Sequence, residues 1–218
     1  MVNYRRRRNF VNRLTAFQTS IAHLFFGIAR SKGYLLGGGG ALLAHGLTNR
    51  PTQDLDFVGS TNTELADSVA EQFALAAESS GIGVQTIQQG DTFTRLLVTA
   101  ETQLVVDFAI DALPILDPVV TAAGPTFAPE ELAARKLTAL FGRAEARDFT
   151  DVYLLCKVFR RELLIARAKE IDLGFNEADL IVSLLAVRRF QPSEFPDVDG
   201  PVESMVQFFL AWADSLAE

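Results

Sequence analysis

"GGGGALLAHGLTNRPTQDLDF" occupies residues 37–57 of a chain of 218. Four successive glycines are unfavourable inside a regular element, because each surrenders more backbone freedom on folding than any other residue. Two aspartates follow, Asp54 and Asp56, one residue apart in an otherwise apolar run. The alternation Asp54, Leu55, Asp56, Phe57 predicts a strand, in which residues i and i+2 face the same side. The two carboxylates then stand side by side. Neighbouring buried carboxylates repel, which raises the pKa of one of them. A divalent cation removes that conflict, and an all-oxygen donor set suits Mg2+, with Mn2+ as the variant.

The glycines complete the pattern. "YLLGGGGALLAHGL" predicts a short strand, a glycine turn and a helix start. Backbone amides at such a turn form a nest that lets phosphates approach closely. Gly38, Gly39 and Gly40 are the candidates here. A phosphate cradle beside a metal-binding carboxylate pair predicts a nucleoside triphosphate (NTP) site for phosphoryl or nucleotidyl transfer. No Gly-Lys-Ser/Thr follows the glycines, which excludes a P-loop. The paired acids also differ from the lone ribose-binding acid of a dinucleotide fold.

Around this centre the pattern is helix, then mixed sheet, then helices. Residues 10–32 carry Leu14, Phe17, Ile21, Leu24, Phe25 and Ile28 at helical spacing, with Gly33 as a stop. "TELADSVAEQFALAAESSG" predicts an amphipathic helix with Thr63 as N-cap and Gly81 at its end. "GVQTIQQ", "TRLLVTA" and "TQLVVDFAI" predict three strands of a meander, which Pro114 and Pro118 interrupt. From about residue 128 the chain reads as helical almost to its end, with Pro129, Glu130 and Glu131 suited to a first turn. The expected organisation is an N-terminal helix and basic arm over 1–32, an α/β core over 33–125, and a helical region over 126–218 packed on it.

Composition narrows the class. Hydrophobic residues make up 49% and charged residues 22%, as in a folded globular protein and unlike a disordered one. No apolar run approaches the roughly 20 residues of a membrane helix, so no membrane association is expected. The first ten residues lack the apolar stretch of a secretory signal. The single cysteine, Cys156, excludes an intrachain disulfide, fits a reducing, cytoplasmic compartment, and sits in an apolar helical pattern as a core thiol. The net charge of −7 hides an asymmetry: residues 1–50 hold eight basic residues and no acid, against 12 basic and 27 acidic in the rest. Arg5 to Arg8, flanked by Tyr4 and Phe10, suit contact with a nucleic-acid backbone.

These residues resemble the AbiEii/MenT-type nucleotidyltransferase toxins, within the polymerase-β-like nucleotidyltransferase superfamily. The resemblance rests on Gly38-Gly39, then Arg50-Pro51-Thr52-Gln53-Asp54-Leu55-Asp56. A later signature matches Lys136, Arg143 and Arg147-Asp148-Phe149-Thr150-Asp151. It spans about residues 33–159. It departs from the pattern at Ala41, where the family often has Thr or Ser, and at Thr52, where many have Ser. The resemblance implies an α+β fold: a polymerase-β-like sheet with helices, followed by a mainly helical C-terminal part. It also implies transfer of a nucleoside monophosphate from an NTP with release of pyrophosphate. It implies a tRNA 3′ end as acceptor, and a cognate antitoxin as partner.

The expected roles follow. Asp54 and Asp56 are metal ligands. Asp107, an acid inside the apolar strand "LVVDFAI", is the third carboxylate, since an ionised group there requires a partner and a third acid can help activate the attacking hydroxyl. Asp111 is a weaker candidate. Lys136, Arg143 and Arg147 are expected on the NTP phosphates, as are Arg50 and Thr52, with the Arg50 guanidinium acting as a charge clamp. Asp148 is expected to orient Lys136 or the nucleotide, or else, with Asp151, to serve the first turn of a helix. His45 and His23 read as structural. The competing readings are an enzyme that modifies an aminoglycoside-type small molecule or a protein, and a nucleotide-binding relative without catalysis. The presence of Asp54, Asp56 and Asp107 together argues against the last.

Overall fold

In the computed structural model, residues 14–196, 198 and 200–217 are described. The arginine-rich stretch Arg5–Arg8, with Tyr4, Phe10 and Arg13, lies outside them. The first helix, α1 (Ala16–Gly27), begins at a capping box: Thr15 Oγ1 accepts from Gln18 N, and Gln18 Oε1 accepts from Thr15 N. It ends earlier than the spacing predicts. Ile28 is extended, and a short 3-10 turn over Ala29–Ser31 leads to Gly33.

Next come β1 (Leu35–Leu36), α2 (Gly38–Ala44) and β2 (Asp54–Ser60). These are the strand, turn, helix and carboxylate strand read from the sequence. Helix α3 (Ala66–Ser79) starts two residues later than expected, with Leu65 as its N-cap. Thr63 is not its cap: its hydroxyl closes the turn after β2, bonding Ser60 N and Ser60 O. Then β3 (Gly83–Gln88), β4 (Phe93–Thr99) and β5 (Gln103–Asp111) form the predicted meander. A hairpin of β6 (Val119–Thr121) and β7 (Gly124–Thr126) follows. It was not foreseen, because three-residue strands carry too few alternations to register as a period.

Among the described residues seven strands make one mixed sheet in the order β3-β4-β5-β2-β1-β7-β6. β2 runs parallel to β5, with Asp56 opposite Asp107. β4 runs antiparallel to β5, with Arg95 opposite Asp107. The helical region is α4 (Pro129–Arg143), α5 (Ala146–Leu155), α6 (Arg161–Ile171), α7 (Glu177–Leu185) and α8 (Val202–Ala217).

One face of the sheet is aromatic. Leu55, Phe57, Val106 and Phe108 are fully buried there beneath α1 and α3. Phe25 stacks on Phe57 at 3.9 Å between ring centroids, and Phe73 meets Phe108 at 5.5 Å. Each fully buried Phe contributes about 2–3 kcal/mol. A one-residue slip of β2 would expose Phe57 and bury both aspartates. The aromatic core therefore holds Asp54 and Asp56 on the opposite face. A second aromatic group, including Phe149, Phe209 and Trp212, closes the helical region, and the buried apolar residues of sheet and helices form one cluster. Cys156 packs against that cluster, and burial pushes its thiol up to about 12, where it is inert.

Candidate active site

A cleft of about 430 Å³ opens on the polar face of the sheet. Its floor carries Asp54, Asp56 and Val58 of β2, Asp107 and Asp111 of β5, and Phe93 and Arg95 of β4. The glycine turn, Gly37 to Gly39, makes one wall. The other is a stripe of α4, with Leu132, Lys136, Ala139 and Arg143 at spacings of four, three and four. Helix α4 runs unbroken through Gly142, which places Arg143 on the same face as Lys136. Arg147, from the start of α5, also lines the cleft.

Gly38 is the tightest point. Its φ is +54°, and a Cβ there would lie 1.7 Å from Asp56 Oδ2. The backbone is thus pressed against a carboxylate that no other residue would allow so close. The first amides of α2 have no acceptor within their own helix. Gly37 N donates to Asp56 O at 2.8 Å and locks the turn to β2. Gly40 does not reach the cleft: a Cβ on it would meet Leu55 and Leu36 in the core. One residue further along the helix turns it away from the opening.

Asp54 and Asp56 come together as read. Thr52 Oγ1 donates to Asp54 Oδ1 at 2.6 Å, and Arg147 Nη1 lies 3.6 Å from Asp54 Oδ2. Gln18 of α1 donates to Thr52 O at 2.8 Å, which anchors the approach to the strand. Burial, then the charge of Asp54, push the Asp56 carboxyl up to about 6.

Asp107 lies directly across from Asp56 in the register, but both its oxygens accept from Arg95, at 2.7 Å each. Among the described residues no three acidic, His or Cys side chains converge as a ready metal set. What the structure offers a cation is the pair Asp54 and Asp56: hard oxygen donors whose mutual repulsion Thr52, Arg147 and Lys136 relieve only in part. That pair fits a divalent ion.

The assignment of the later acids changes. Lys136 Nζ is held by Asp151 Oδ2 at 2.9 Å, not by Asp148. Asp151 is fully buried and also takes Arg50 through Nε at 3.1 Å and Nη2 at 2.9 Å. Burial opposes its ionisation, but the charges and bonds of Lys136 and Arg50 outweigh burial and lower its pKa. Arg50, expected to clamp phosphates, thus lines the cleft with its charge already paired. Asp148 takes Arg143 through two bonds of 2.8 and 2.9 Å and caps the amide of Glu145. Both acids lie on α5, Asp148 in its first turn and Asp151 in its second, and each steadies a different cation.

Arg135, unassigned from the sequence, bridges buried Glu131 and exposed Asp111 and lies over Phe127 at 4.1 Å. His45 bonds Thr126 Oγ1 at 2.7 Å and His23 the carbonyl of Ala122 at 2.6 Å, which makes both structural.

A family model, the nucleotidyl transferase AbiEii toxin of Type IV toxin–antitoxin systems, matches residues 28–196. The chain belongs to this family. It is therefore a nucleotidyltransferase of the toxin type. Two solved structures share the fold of this AbiEii-family chain. JHP933 from Helicobacter pylori is 19% identical, with 93% of each chain covered and a TM-score of 0.53. The nucleotidyltransferase toxin MenT4 from Mycobacterium tuberculosis H37Rv is 18% identical, with 92% of this chain and 90% of that one covered and a TM-score of 0.51. No curated protein matches the chain. No helix among the described residues of the AbiEii-family chain is long and apolar enough to cross a membrane.

The packing of Gly38 on Asp56 gives a first expected result. Gly38→Ala should keep the fold at a lowered melting temperature, since alanine is strained at this φ, and lower nucleotidyl transfer by about 100-fold, the penalty of roughly 1 Å misplacement at a reacting centre. Steady-state kinetics beside a thermal melt checks it; near-normal turnover would show that the contact is slack.

Proposed function

We propose that this AbiEii-family toxin is a Mg2+-dependent nucleotidyltransferase that adds a nucleoside monophosphate to the 3′ end of tRNA and so blocks translation. The observation that carries the reading is the carboxylate pair of β2, pressed against the glycine turn and faced by Lys136, Arg143 and Arg147. The basic first fifty residues support a polyanionic acceptor. A cytoplasmic setting and a cognate antitoxin as partner belong to the same reading and accord with the Type IV family.

Asp54 and Asp56 would hold the cation, which supplies charge neutralisation to the reacting phosphate. The glycine turn receives phosphate oxygens on backbone amides. Lys136, kept extended by Asp151, and Arg143, kept by Asp148, meet the same triphosphate from α4. Arg147 leaves its distant contact with Asp54 for a phosphate oxygen. The acceptor 3′ oxygen forms a bond to the α-phosphorus as the bond to the bridging oxygen breaks. Pyrophosphate departs, and the hydroxyl proton passes to a floor carboxylate, the role we assign to Asp107.

The test is incubation with total tRNA, Mg2+ and each α-labelled NTP in turn. Labelled tRNA with one NTP, lost on adding a chelator, is the expected result. Nucleotide binding without label on any RNA would turn the reading towards a small-molecule or protein acceptor.

A further inference from the structure

The floor of the cleft has a direction. In sheet order it runs from β4 through β5 and β2 to the glycine turn beside β1. The turn and the cations of α4 and α5 lie at the phosphate end. In an in-line displacement the attacking oxygen enters opposite the leaving group. With pyrophosphate at the glycine turn, the acceptor enters over β4.

Two side chains wait there. Phe93 and Arg95 are two residues apart on one face of β4, and both line the cleft. Arg95 donates from Nε and Nη2 to Asp107, and its Nη1 donates no hydrogen bond among the described residues. Its side chain is 42% exposed, whereas that of Asp107 is 7% exposed. The guanidinium lies 5.5 Å from the Phe93 ring centre. Beyond it, on the edge strand β3, Gln88 stands opposite Arg95 and is exposed. An aromatic face, a half-free guanidinium and an amide in sequence make a track for an unpaired nucleic-acid end. Rings stack on bases, and arginine takes phosphate. A cationic small-molecule acceptor would meet a like charge at Arg95.

We infer that Phe93 and Arg95 form the seat of the acceptor's 3′-terminal nucleotide. Phe93 stacks on the base, and Arg95 Nη1 bonds the phosphate of a single-stranded RNA end while the same guanidinium steadies Asp107. This rests on reading the cleft as a nucleotidyl-transfer site for RNA.

Two separate measurements keep the seat and that reading apart. Binding of a short labelled single-stranded RNA with a free 3′ hydroxyl is followed by fluorescence anisotropy over a salt series. The Michaelis constants for RNA and NTP are measured beside it. Arg95→Ala should raise the RNA constant about tenfold, leave the NTP constant in place, and reduce the salt slope by roughly 0.7. Phe93→Ala should weaken RNA about tenfold, and Phe93→Tyr should restore it. Loss of kcat in Arg95→Ala with RNA affinity and salt slope unchanged overturns the seat, leaving Arg95 as a support for Asp107 alone. RNA binding indifferent to both substitutions overturns it as well, as does wild-type transfer confined to an aminoglycoside or a protein. Wild type that binds RNA through these residues yet labels none of it upholds the seat and overturns the transfer reading.

Discussion

Asp56→Asn is expected to abolish nucleotidyl transfer and, in the same protein, to raise the melting temperature of the metal-free form at pH 7.5 by roughly 5 °C. Both effects come from one carboxylate. Its pKa is raised to about 6, first by burial and then by the charge of Asp54. A carboxyl that holds its proton more tightly when folded stabilises the fold at low pH. That contribution fades as pH rises from the ordinary value of 3.8 through about 6. At pH 7.5 the ionised pair therefore costs the metal-free fold on the order of 2 kcal/mol. The amide removes the charge and keeps the shape. The gain in stability should shrink as the pH is lowered towards 4, and added Mg2+ should stabilise the wild type but not the variant. Melting curves across pH, with and without Mg2+, read all of this. A variant less stable than wild type at pH 7.5 would mean that the pair is not in conflict, and the case for a cation there would lose its physical basis.

The larger structural effect belongs to Asp151. It is fully buried and holds Arg50 and Lys136, whose side chains are each only 10% exposed. Asp151→Ala strands two cations in a site with little water. Removing one partner of a buried ion pair costs about 3–5 kcal/mol, a large fraction of the 5–15 kcal/mol typical of a whole domain. A fall in melting temperature of roughly 10 °C is expected, together with weakened NTP binding as Lys136 loses its support. Because the Asp151 pKa is held below 3.8, the contribution is complete above that value and is lost only on further acidification. Lys136→Met should be milder, since Arg50 still neutralises Asp151. The double variant should not show the sum of the two single effects. Additive effects would show that the three groups do not act as one network.

Much of the fold was legible because its signals are local. The apolar alternation of β2 and β5, the helical spacing of α1, α3 and α4, and Pro129 at a first turn each lie within one element. The same holds for the glycine turn and the Asp54/Asp56 pair, where strand geometry alone puts two carboxylates on one side. The register of Arg95 was also within reach. The short connection of residues 100–102 between β4 and β5 pairs Thr99 with Gln103, and counting back pairs Arg95 with Asp107. That the two would bind through both oxygens was not visible, since it depends on how deeply each side chain sits.

The division between Asp148 and Asp151 shows where sequence stops. At i and i+3 they share one helical face, and spacing cannot say which reaches Lys136. The choice was made by how α5 packs against α4 and against the loop that carries Arg50. That packing buries Asp151 between two cations and leaves Asp148 at the helix start with Arg143. Gly40 and Arg50 follow the same rule: one turns into the core, and the other lines the cleft with its charge paired. The order of residues alone set the chemistry of this protein, a glycine turn above two carboxylates with cations downstream. The tertiary structure alone set which charges neutralise which, because ion pairing falls steeply with distance and burial, and neither quantity is written along a single chain segment.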